Sequence, residues 1–123
     1  MIHEMSLNAQ PYEQIKNKGK IIAVRLYDEK RRNVLPKDII IFSKLPGKEE
    51  KMAVEVIKLL VFPSFKELFS NFEKSKFGHC TDETIEEQIN RQWEHYTKEE
   101  EKKYGVVGMH IKLLEKLSDP YDS

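Results

Sequence analysis

The segment Lys20-Ile21-Ile22-Ala23-Val24-Arg25-Leu26-Tyr27 constrains this chain more than any other. Side chains along a strand point to alternate faces, so period-two patterning reads as a strand. Here Ile22, Val24 and Leu26 form one apolar face, while Ile21, Ala23, Arg25 and Tyr27 form the other. A lone arginine among small and apolar neighbours needs a partner, a ligand or water. The strand opens on lysine and runs into the cationic turn Glu29-Lys30-Arg31-Arg32.

The remaining elements follow from turn signals and periodicity. Met1 to Asn8 reads as a short strand, and Pro11 opens a helix with Tyr12 and Ile15 at helical spacing, stopped at Asn17-Lys18-Gly19. Asp28 to Lys37 reads as a polar connection. Asp38 to Ser43 is rich in β-branched residues and pairs with Met52 to Phe62 across the Pro46-Gly47 turn. Ser64 and Glu67 predict a capping box for a helix whose stripe is Phe65, Leu68, Phe69 and Phe72. Ser75 to Asp82 reads as a loop. A helix from about Glu83 carries Ile85, Ile89 and Trp93 on one face, with Trp93 expected in the core. Thr97 and Glu100 predict a capping box for a short charged helix ended by Gly105, with a solvated face holding pairs such as Glu99–Lys103. Val106 to Leu114 is the last strand, and residues 118–123 are expected to fray. The whole predicts one α+β domain over residues 1–117, with a mixed sheet curled into a small barrel and helices at its openings.

Composition limits the partners. The 21 basic and 21 acidic residues cancel, so any anion site must come from a local patch. Cys80 is the only cysteine, which excludes an internal disulfide and suits a reducing cytosol. The opening residues lack a signal-peptide pattern, and the run Leu59 to Phe62 is too short to cross a membrane.

The segment from Ile15 to Arg31 resembles the signature of the ASCH domain family, which typically shows Gly-x-Lys-x-x-x-x-Arg followed by Leu-Tyr-Asp-Glu-Lys-Arg. Three further segments share the resemblance: Pro36 to Ile40, Phe62 to Leu68, and Tyr96 through Gly108. It implies a PUA-like small mixed β-barrel of about five to six strands flanked by three to four helices. It also implies binding of RNA or a nucleotide in a cleft beside the barrel; separately, no metal and no cofactor are expected from the residues. A small branch of the family hydrolyses the acetyl amide of acetylated cytidine with a lysine, a threonine and a glutamate. Lys20 aligns with that lysine, and Glu67 and Glu73 lie near the glutamate. Ala23 stands where the branch has its threonine, and Ile21 where the family commonly has another.

The candidate ligand-binding residues are Lys20, Arg25, Tyr27, Lys30, Arg31 and Tyr104. Lysine and arginine supply donors for phosphate, and exposed tyrosines can stack on a base. Lys16, Lys18, Arg32 and Lys37 could extend the cations into a patch. Amide hydrolysis needs a hydroxyl or thiol beside a base, which Ala23 lacks, so an amidohydrolase would have to recruit Ser43, Cys80 or activated water. The group His79-Cys80 with Asp82 matches no zinc spacing. A protein-interaction domain without a nucleotide ligand is the third reading, and would show a large exposed apolar patch and no polar cleft.

Overall fold

The computed structural model describes residues 1–17, 20–79 and 82–116. Its strands are β1 (Ile2–Leu7), β2 (Ile22–Leu26), β3 (Ile39–Lys44), β4 (Lys51–Phe62) and β5 (Val106–Lys116). They form one mixed sheet in the order β1-β3-β4-β5-β2. β1 and β3 run parallel, and the other three pairings are antiparallel. The α+β class and the mixed, curled sheet agree with expectation, but the sheet is a strongly curled half-barrel. β4 curls it: its pairing with β5 shifts register between Ala53 and Val54 and again between Val56 and Lys58. Each such irregularity bends and twists the strand that carries it.

The helices are α1 (Ala9–Asn17), α2 (Glu29–Arg32), α3 (Phe65–Asn71), α4 (Ile85–Gln92) and α5 (Lys98–Tyr104), with a 3₁₀ turn over Lys74–Phe77. The turn α2 lies inside the stretch expected to be an irregular polar connection. Asp28 forms it by accepting the Arg31 backbone N–H at 3.1 Å, the usual work of an N-cap carboxylate. The 3₁₀ turn likewise occupies the start of the expected 75–82 loop.

Both faces of β2 are covered, which explains its sequence. Ile22, Val24 and Leu26 pack with Leu60, Val106, Phe65, Leu68, Phe69 and Phe77 in a core roofed by α3 and α4. Ala23 packs on the opposite side, with Met5, Leu7, Tyr12, Ile15, Phe42, Val54 and Met109, and Tyr27 borders that core. Gly108 lets α3 approach the sheet: a Cβ there would lie 2.9 Å from Ile22 Cγ2 and 3.1 Å from Leu68 Cδ1. Trp93 borders the α3/α4 core as expected, edge-on to Phe65 at 5.7 Å.

Helix ends depart from expectation in one place. Thr97 and Glu100 make the full capping box, as do Thr84 and Glu87 at α4. At α3, Ser64 accepts from the Glu67 N–H at 3.2 Å, but the reciprocal bond is not made. The Phe65 N–H instead donates to Glu101 of α5 at 2.9 Å. Among the described residues Glu99 and Lys103 form no ion pair; the Lys103 ammonium sits 5.0 Å from the Tyr104 ring centroid. The 118–123 tail, Lys18, Gly19 and Cys80 lie outside the described residues. No described helix is long and apolar enough to cross a membrane.

Candidate functional site

The open side of the half-barrel holds a cleft of about 520 Å³, bordered by Ser6, Leu7 and Asn8, by α1, by Lys20 and Arg25, by His79 and by residues 91–96. Each wall is fixed from elsewhere. The Lys20 backbone N–H donates to Gln14 O at the end of α1 (3.1 Å), and the Ile21 N–H donates to Lys76 O (3.0 Å). The Gln14 side chain donates to Gly78 O at 2.8 Å, tying α1 to the residue before His79. Gly78 has φ 79°, and a Cβ there would meet the Gln14 amide at 2.8 Å, so conformation and space both call for glycine.

Arg25 is the residue whose surroundings decide the reading. Its guanidinium donates to Val24 O at 2.8 Å and to Ser6 O at 3.2 Å. Both acceptors are neutral carbonyls, and among the described residues no salt bridge engages Arg25 or Lys20. Arg91 joins them from the end of α4 and is held by Glu83, whose side chain is buried. Glu94, exposed at the rim, is the sole carboxylate among the described lining residues.

The charges feel one another. Burial, then the neighbouring Arg25 and Arg91 cations, push the Lys20 ammonium down to about 8. Burial also lowers Arg25, with Tyr96 opposing it. Burial, then Arg91 and Lys20, push His79 down to about 4, so its ring is neutral at pH 7. The buried Gln88 amide nitrogen lies 2.9 Å from His79 Nδ1. That amide orients the imidazole in the cleft wall. Tyr96 is stacked on Phe65 at 5.8 Å, which holds its ring at the cleft wall.

Of the residues singled out in the sequence, Lys20 and Arg25 meet in the cleft and the others do not. Tyr27 lies under Arg32, whose guanidinium carbon is 4.4 Å from the ring centroid. Lys30 donates to Glu4 O at 2.8 Å, and Arg31 pairs with Asp28 at 3.3 Å. Tyr104 borders the α3/α4 core. Glu67 and Glu73 are exposed and do not line the cleft, and Ser43 sits within β3 opposite Ser6. Lys16 pairs with Glu50 at 3.1 Å, and neither it, Arg32 nor Lys37 lines the cleft. Ala23 is buried in the inner core. His79 and Arg91 were not read as ligand residues of this cleft, and Tyr96 ranks below Tyr27 and Tyr104 as a base-stacking aromatic in the sequence. They come from segments far along the chain, and the sequence signal available was weak: Arg91 lies on the polar face opposite the Ile85/Ile89 stripe.

No protein-family model and no curated protein matches the chain. Two solved structures do. The crystal structure of the hypothetical protein PH0355 is 38% identical over 93% of this chain and 100% of its own, with a TM-score of 0.78. The solution structure of protein PF0455 from Pyrococcus furiosus is 39% identical over 94% of this chain and 99% of its own, with a TM-score of 0.66.

Proposed function

The chain belongs to the family of PH0355 and PF0455, and within that family we propose that it is a binding module of the ASCH type, taking RNA or a nucleotide in the cleft that Lys20 and Arg25 share. One observation carries the reading. Three cations from three segments, Lys20, Arg25 and Arg91, line one concave space, and neither Lys20 nor Arg25 makes an ion pair with a described carboxylate. Like charges brought together without counter-ions are unfavourable unless an anion completes them. Phosphate contacts would hold the ligand, and the edge of Tyr96 and the Gln92 amide would face its base.

Hydrolysis is the weaker reading. Ala23 supplies no nucleophile, and its side chain packs in the core on the far side from α3. The two glutamates considered as catalytic partners, Glu67 and Glu73, stand outside the cleft.

The test is calorimetric titration of nucleotides and short RNAs at two salt concentrations. Affinity should fall with added salt. Arg25→Ala and Lys20→Gln should each weaken binding by roughly tenfold or more, since hydrogen bonds to charged groups contribute about 1.5–3 kcal/mol. Salt-independent binding, or full affinity in both variants, would count against the reading.

A further inference from the structure

Three cations of this chain meet at one place in the fold. Lys20, Arg25 and Arg91 converge on a single cleft that the neutral His79 ring also borders. A polymer backbone instead needs cations spaced along a track, because its phosphates each carry one charge and follow one another at regular intervals. Such a track is absent among the described residues bordering the cleft. Arg31 is paired with Asp28, Lys44 with Glu13 and Lys16 with Glu50, and Lys30 and Arg32 do not line the cleft.

We propose that the cleft is built for a terminal phosphate monoester on a small molecule, a nucleoside monophosphate, rather than for the internal diesters of RNA. The charge balance favours it. Arg91 and Glu83 form a neutral pair, so the unpaired charges within the cleft are those of Lys20 and Arg25, two to match a dianion. Glu94 at the solvent-exposed rim is screened by water and lies outside that balance. The donors match as well: a monoester has three terminal oxygens that only accept, and lysine and arginine only donate. The cleft, about 520 Å³, is of the size of small-molecule sites generally. The carboxylate of Glu83 and the amide of Gln88 stand behind as positioning groups, one on Arg91 and the other on His79.

The inference rests on the anion-binding reading above, and the experiment separates the two. The full chain is titrated with adenosine 5′-monophosphate, adenosine, a 5′-phosphorylated trinucleotide and a 5′-hydroxyl trinucleotide that carries only diesters. The monophosphate should bind at least tenfold more tightly than adenosine and the 5′-hydroxyl trinucleotide. Lys20→Gln and Arg91→Gln should each remove most of that preference while retaining the wild-type amide spectrum. The phosphorus resonance gives a second readout: the second ionisation of the monoester, ordinarily near ~6, should move down on binding among cations. Tight binding of the 5′-hydroxyl trinucleotide would show that the cleft reads diesters, overturning this inference and leaving the binding reading intact. A preference for the 5′-phosphorylated trinucleotide over the monophosphate would assign the site to RNA ends and would also overturn it. Binding of none of the four would remove both.

Discussion

Lys20 is the residue at which charge, burial and function meet. Its ammonium is pushed to about 8 by burial and by Arg25 and Arg91. A bound anion would draw it back up, since an opposite charge nearby favours the charged form. Anion affinity should therefore fall as pH rises through about 8, with that inflection absent from Lys20→Gln. His79, at about 4, stays neutral across that range and adds no step. The ligand-free protein shows the opposite sign. Its folded lysine lies below the ordinary 10.5, so the unfolded chain binds more protons between about 8 and 10.5. Stability contributed by this group must rise with pH there. Arg25 was legible in the sequence because an arginine amid Ile21, Ala23 and Tyr27 violates the pattern of its own strand face. Its companion Arg91 violated nothing, being one more charge on the polar side of a helix.

At the level of elements, the sheet and its roofing helices meet where Gly108 faces α3. The contact distances leave no room for a branched side chain against Ile22 and Leu68. Gly108→Val should destabilise the protein by about 1–3 kcal/mol, the usual range for overpacking, read as a lower denaturation midpoint at unchanged m-value. Retention of full stability would mean that α3 can slide away from β5. Strand positions were readable because alternation, β-branched runs and the Pro46-Gly47 turn all agreed on them. The helix α2 was not, because four residues held by one Asp28 cap carry no hydrophobic period. The Phe65–Glu101 bond was equally invisible: its partners are 36 residues apart and belong to different helices. Capping chemistry announces that an N-terminus will be satisfied, and long-range packing decides by whom.

For the molecule as a whole, β1 closes the parallel edge of the sheet, and Asp38 anchors it. The Asp38 carboxylate lies 2.9 Å from His3 Nε2 and accepts the Leu35 N–H at 3.0 Å. The His3 bond first, then that from Leu35, hold it down to about 2 from its ordinary 3.8. The stability it contributes is complete above pH 4 and is lost as pH falls from about 4 through 2. Denaturation midpoints measured between pH 2 and 5 should show that decline, and Asp38→Asn should start lower and decline less. The curl of the sheet follows from two register shifts in β4, which no alternation pattern in Lys51–Phe62 discloses. The half-barrel was thus legible as a set of strands and a count of turns, while the open seam that becomes the cleft was not.

That seam has a consequence for how the protein behaves in a crowded solution. The odd-numbered carbonyls of β1 face β3, as the bonds to Met1 O and Leu7 O show, while Glu4 O and Ser6 O face outward. These are the groups on which a stray strand would template itself. Lys30 and Arg25 occupy them. The arginine proposed to meet an anion therefore also covers an edge carbonyl against intermolecular strand addition. A ligand that pulled Arg25 fully away would leave one rung of a sheet exposed to the next molecule. Under the proposed function, recognition and colloidal restraint would share a single guanidinium, so Arg25→Ala should disturb both.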